Sequence, residues 1–178
     1  LFLNPEVANQ VGAHLLVADT ANHLIRAINL ETKSVSTIAG TGAQWMQADP
    51  TTGPALEINI STPWDIEILD GQLLIAMAGE HRIWKYDLSN KTLGIFAGTT
   101  NEGLVDGSLD EAWFAQTSAL AQSKLSPGKI WLIDAETSAL RAAEGEKITS
   151  QIGKGLFDFG HIDGPAQQAL LQHPLGAI

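Results

Sequence analysis

Cysteine is absent from the 178 residues. That excludes a disulfide scaffold, a thiolate nucleophile, Cys-ligated zinc and an iron–sulfur cluster, and it leaves the redox compartment unreadable. Basic residues are few, with 10 Lys and Arg against 20 Asp and Glu and a formal net charge of −10. Contact with a phosphate backbone needs clustered Lys and Arg, so nucleic acid is not expected as a partner. No apolar run approaches 18 residues, so no membrane span is expected. The first residues have neither a basic n-region nor an apolar h-region, so no signal peptide is visible. The expectation is a soluble protein, with the cytoplasm favoured over other compartments. The first residue is Leu1 rather than Met, which points to a processed or excised piece. With 44% hydrophobic and 17% charged residues, the chain has the composition of a packed globular domain and not of a disordered one.

What is present is a repeat. Leu16 to Arg26 is echoed 58 positions on by Leu74 to Trp84, and again by Trp131 to Arg141. Ile38-Ala39-Gly40-Thr41 returns as Phe96-Ala97-Gly98-Thr99 and as Ile152-Gly153-Lys154-Gly155. Phe2-x-x-Pro5, Ile60-x-x-Pro63, Phe114-x-x-Thr117 and Leu171-x-x-Pro174 follow at spacings of 58, 54 and 57. In three cases a Gly (Gly53, Gly107 and Gly164) stands ten residues before the Pro or Thr. A fixed period of this length is the signature of a repeat architecture.

Within a unit the signals are β. Trp64 to Ile68 alternates apolar and acidic residues, Asp70-Gly71 is a hairpin dipeptide, and Arg82 to Tyr86 alternates again. Four short strands joined by tight turns are expected per unit. Unit one follows the same plan, with turns near Gly12 and at Glu31-Thr32-Lys33. Leu109 to Phe114 and Gln167 to Leu171 read as single helical turns between units. The fold expected is all-β: four-stranded antiparallel blades of a β-propeller in one propeller segment, 1–178. Blade one covers about 2–59, blade two 60–113 and blade three 114–170, and a fourth begins at 171–178.

Val17-Ala18-Asp19-Thr20-x-Asn22-His23-Leu24-Ile25-Arg26 resembles the NHL repeat. The Gly-rich loops, Gly103-Leu104-Val105-Asp106-Gly107 and Leu156 to Gly160 leading to Asp163-Gly164 and Leu171 to Gly176, are similar to the branch that joins a thioredoxin-like domain to an NHL propeller. The resemblance covers essentially the whole chain and implies a ring of six blades, of which three are here. A ring of units this long needs on the order of 340 residues. Two readings follow: a segment of a longer ring, which is preferred, or two copies closing one ring. Against the second, Pro5 onward and Pro174 onward share a phase and would compete at each junction. Both predict self-association of the isolated chain through uncovered blade faces.

Nine residues fall at blade-mouth positions and are the candidate binding residues: Asp19, Asn22, His23, Arg26, His81, Arg82, Asp134, Glu136 and Arg141. Asp19 and Asp134 end equivalent strands, and Arg26 and Arg141 follow them by seven residues, a spacing that suggests an ion pair across each hairpin. His23 and His81 share a register, but the third member is Ser138, which breaks a one-His-per-blade metal set. No H-x-H, H-E-x-x-H, phosphate-loop or nucleophile-elbow spacing occurs, so no catalytic residue, metal or cofactor is assigned. Trp45 and Trp113, in the inter-unit loops, are the tryptophans expected nearest a mouth. The function expected is a non-catalytic scaffold or recognition surface for a protein or small ligand. The alternative is part of a six-bladed, metal-dependent hydrolase or lyase with its site in the central channel.

Overall fold

A computed structural model describes residues 1–177. Among these residues thirteen strands form three antiparallel sheets. The first contains β1 (Leu15–Asp19), β2 (Leu24–Asn29) and β3 (Ser34–Ala39). The second joins the two-residue β4 (Gly53–Pro54) to β5 (Pro63–Leu69), β6 (Gln72–Met77), β7 (Arg82–Asp87) and β8 (Thr92–Ala97), in the order β4-β8-β7-β6-β5. The third repeats that plan with β9 (Gly107–Ser108), β10 (Thr117–Gln122), β11 (Lys129–Asp134), β12 (Ala139–Glu144) and β13 (Lys147–Ile152), in the order β10-β11-β12-β13-β9. Each sheet is a blade. In blades two and three the Gly that marks the repeat begins a two-residue strand, which caps the outer edge.

Alternation puts each blade's two faces against different neighbours. Along β6, Leu73, Ile75 and Met77 pack with Ile25, Ala27 and Ala39 of blade one. The intervening Leu74 and Ala76 pack with Leu120, Ile130 and Leu132 of blade three. Trp84 and Tyr86 of β7 join the first cluster and Ile83 the second. The inner strands β5 and β10 meet along their length, and β1 meets β5. At Asp70-Gly71 both residues have positive φ, 48° and 76°, as a two-residue hairpin requires. The expected inter-unit turns are present as single turns, Ala112 N–H donating to Ser108 O and Ala169 N–H to Pro165 O. No helix among the described residues is long and apolar enough to cross a membrane.

Blade one departs from the expectation of four strands. Residues Pro5–Val11 form a helix, α1. The local signals are a complete helix set: the Asn4 side chain accepts the Val7 N–H, Pro5 stands in the first turn, and Gly12 closes the end at φ 73°. Gly12 is therefore a helix C-cap and not a strand turn. Only Leu1 to Leu3 take the inner-strand place, bonding to His14 and Leu16 at 2.9–3.0 Å. The inner edge of β1 is thus covered along half its length.

Candidate functional site

The connection from second to third strand of each blade brings the predicted residues to one end of the sheets. Asp19, Met77 and Asp134 end β1, β6 and β11. A short turn follows, and the chain reverses through a left-handed residue: His23 (φ 52°), His81 (φ 58°) or Ser138 (φ 50°). Left-handed backbone is costly for a side-chain-bearing residue and persists where its surroundings hold it. The holding contact is the same in all three blades. His23 Nδ1 accepts the Thr62 N–H at 3.1 Å, His81 Nδ1 the Gln116 N–H at 3.2 Å, and Ser138 Oγ the His173 N–H at 3.2 Å. Thr62, Gln116 and His173 are themselves left-handed, and Thr62 and Gln116 stand just before the inner strands β5 and β10. The first two contacts tie one blade to the next, and the third ties blade three to the segment that follows it. A neutral imidazole accepting through Nδ1 carries its proton on Nε2, which fixes the tautomer of both rings. The repeating Gly completes the joint. A Cβ at Gly40 or Gly98 would lie 2.3 or 2.9 Å from the carbonyl oxygen of His23 or His81.

The charged candidates divide among separate junctions. Asp134 and Arg141 are fully buried and 3.6 Å apart. Asp134 also accepts the Ala115 N–H at 2.9 Å and the Thr137 hydroxyl at 2.9 Å. Arg141 spends its guanidinium on the loop before its blade, bonding Trp113 O, Val105 O at 2.7 Å and Asp106 at 3.0 Å, and it lies 4.7 Å over the Phe114 ring. Burial pushes the Asp134 carboxyl up, against the pull of Arg141 and of its hydrogen-bond donors. In blade one the corresponding pair does not form. Asp19 instead accepts the Asn22 side-chain amide at 2.9 Å, and Arg26 keeps a buried Nε with no partner among the described residues.

Blade two has Met77 and Trp84 at the Asp and Arg positions and builds a different junction. Arg82 is buried against Glu80, with its guanidinium 4.5 Å over Trp45 and 5.6 Å over Trp84. Burial raises the Glu80 carboxyl to about 7, opposed by Arg82 and the Trp84 indole. Glu80 escaped the sequence reading, because no repeat partner shares its chemistry. In blade three, Glu136 sits 3.5 Å from His173, both partly exposed. Among the described residues no three His, Asp or Glu side chains gather within reach of one metal ion.

Trp45 is buried under Arg82, so it does not reach the mouth. Trp64 does. A bulge between Pro63 and Asp65 turns it out of the alternation, and it is 36% exposed. It borders a cavity of about 260 Å³ shared with Thr62, Gly79, His81 and Gln116. Beside it, Asp65 accepts the Leu120 N–H of blade three at 2.8 Å. This open pocket offers an indole face, an imidazole N–H and a primary amide. That set suits hydrogen bonding and stacking with a small polar group.

No family model matches the chain. Among curated proteins it is similar to human NHL repeat-containing protein 2, at 36% identity over 204 residues, covering 98% of this chain and 28% of that protein. It is similar also to the Arabidopsis thaliana protein SUPPRESSOR OF QUENCHING 1, chloroplastic, at 33% identity, covering 92% of this chain and 16% of that one. The chain thus spans under a third of the length of these relatives. Among solved structures it is similar to a protein of unknown function from Bacteroides thetaiotaomicron, with TM-score 0.66, 18% identity, 88% of this chain and 37% of the other. An auxiliary nutrient binding protein from the same organism aligns with TM-score 0.61 and 16% identity over 90% of this chain and 39% of its own. At such identities the structural likeness carries the fold alone. Taken with the repeat register and three successive blades, the curated likeness places this chain in the NHL-repeat β-propeller family.

Proposed function

We propose that residues 1–178 form one non-catalytic propeller segment that acts as a rigid scaffold, with the Trp64–His81–Gln116 pocket as its recognition surface for a small polar ligand or an exposed peptide side chain. The observation that carries this reading is the use made of the repeat's polar side chains. His23 and His81 through Nδ1, and Ser138, Asp134 and Arg141, are taken up in holding blades and loops together. What remains open at the mouth is an aromatic face with a few donors and acceptors, a combination suited to recognition. The neighbour described as a nutrient binding protein supports a binding role in this fold class.

The test is a ligand-observed NMR screen of amino acids, mono- and disaccharides and nucleosides against the purified chain. Binding that is weakened at least ~10-fold by Trp64→Ala, with an unchanged melting temperature, supports the reading. Metal-dependent hydrolysis or elimination of ester or lactone substrates, lost on substituting Asp65 or His81, overturns it in favour of the propeller-enzyme alternative.

A further inference from the structure

Away from the mouth, the junction between successive blades opens into a groove that recurs with one backbone pattern. Between blades one and two, Gly40 N–H donates to Ala55 O and Ala55 N–H to Lys91 O, both at 2.9 Å. Between blades two and three, Gly98 N–H donates to Leu109 O at 2.7 Å and Leu109 N–H to Glu146 O at 3.2 Å. Thr37 and Ile38 wall the first groove, and Ile95 and Phe96, 58 positions on, wall the second. With the backbone held alike, the side chains decide what each groove can hold.

Those side chains differ. Tyr86 pairs with Leu93 in blade two as Ala143 pairs with Ile148 in blade three, so a phenol in one groove answers to a methyl in the other. Lys91 answers to Glu146, the same carbonyl acceptor, and Leu56 to Asp110, each following the bonded residue. The second groove thus carries two carboxylates and no phenol, whereas the first replaces both acids with an ammonium and an apolar group. Val11 at the end of α1 and Leu88 after β7 add apolar surface to the first groove. Its cavity is about 350 Å³, enough for one small organic molecule.

Tyr86 is the chain's only tyrosine and is 4% exposed, yet its hydroxyl makes no hydrogen bond among the described residues. A buried phenol ordinarily finds a partner, and one left without it costs stability. Burial, and then the Asp87 carboxylate, push the hydroxyl's pKa up, so it stays a donor. Tyr86 borders the cavity, so a molecule there can supply the missing acceptor. Charge selects against ions: Asp87 and Glu57 disfavour an anion at this hydroxyl, and Lys91 disfavours a cation at the rim.

We propose that this groove is a second ligand site, at the other end of β7 from the Trp64 pocket, for a small uncharged molecule with an apolar body and one carbonyl oxygen. The body lies against Ile38, Val11 and Leu88, and the oxygen accepts the Tyr86 hydroxyl. The second groove, with Ala143, Asp110 and Glu146, does not take it.

Protein-observed NMR titration of the whole chain with N-methylbenzamide, benzoate and benzylammonium tests this. N-methylbenzamide is expected to bind saturably with a Kd in the millimolar range, shifting the Ala55, Leu88 and Lys91 amides and leaving Leu109 and Glu146 unmoved. Tyr86→Phe keeps the ring and removes the donor. The melting temperature is expected to hold, since no partner is lost, while Kd rises at least ~3-fold. Leu56→Asp gives the first groove an acid of the second at an exposed position, and it too raises Kd at least ~3-fold. Trp64→Ala leaves this binding unchanged, which separates it from the mouth pocket. No saturation at tens of millimolar, equal or tighter binding of either ion, shifts centred on the second groove or on Trp64, or affinity indifferent to Tyr86→Phe or Leu56→Asp each overturns the proposal.

Discussion

At the scale of single residues, identical register does not mean identical energetic weight, and the difference is measurable. His81→Ala leaves the Gln116 N–H without its acceptor at a partly buried joint, an expected loss of about 1–2 kcal/mol in denaturant unfolding. His81→Ser is expected to lose less, because a serine does the same work at position 138. Arg141→Ala strips a fully buried Asp134 of its counter-charge. About 3–5 kcal/mol is expected there, enough to populate unfolded chain at ambient temperature. Arg26→Ala, at the same register in blade one, removes a half-buried guanidinium that makes no ion pair among the described residues, and it is expected to cost clearly less, about 1 kcal/mol in unfolding free energy.

At the scale of elements, α1 shows how local chemistry overrode a repeat. Phe2-x-x-Pro5 matches the phase of the later inner strands, yet Asn4, Pro5 and Gly12 supply an N-cap, a first-turn proline and a left-handed C-cap. Between them Val7 and Val11 are spaced by four, a helical period. Asn4→Ala is expected to cost about 1 kcal/mol and to appear first as faster amide exchange at Val7 and Ala8. The other strands were legible in the sequence because their alternation and turn dipeptides agreed with one another. The site was legible only in part. Repeat alignment located His23, His81 and Ser138, but their partners lie 35–39 residues further along the chain. Their left-handed backbone leaves no mark in a comparison of side chains. Trp64 was hidden for a different reason: it shares parity with Ile66 and Ile68, and only the bulge after Pro63 turns it outward.

At the scale of the whole molecule, two buried carboxyls set an acid-side advantage. Glu80 has its folded value raised from 4.5 to about 7, and Asp134 is raised too. A raised acid binds its proton more tightly folded than unfolded, so its contribution is fully present below pH 4.5 and fades as pH climbs through about 7. Stability is therefore expected to fall between those values, by a few kcal/mol in order of magnitude for Glu80. Glu80→Gln is expected to flatten that slope in urea titrations at pH 5, 6 and 7. Below pH 4 the trend turns over. Asp106 is held low chiefly by the Ser150 and Arg141 hydrogen bonds that outweigh its desolvation, and its stabilisation is lost as it protonates.

The three contacts at the left-handed joints run one way, the side chain of the earlier residue accepting a backbone N–H that comes later in the chain. A chain emerging from the ribosome thus presents each acceptor before the N–H that will fill it. The intervening 35–39 residues make each closure short-range, with a similar and modest loop entropy every time. Assembly of these blades in the order of synthesis then needs no waiting for a distant segment.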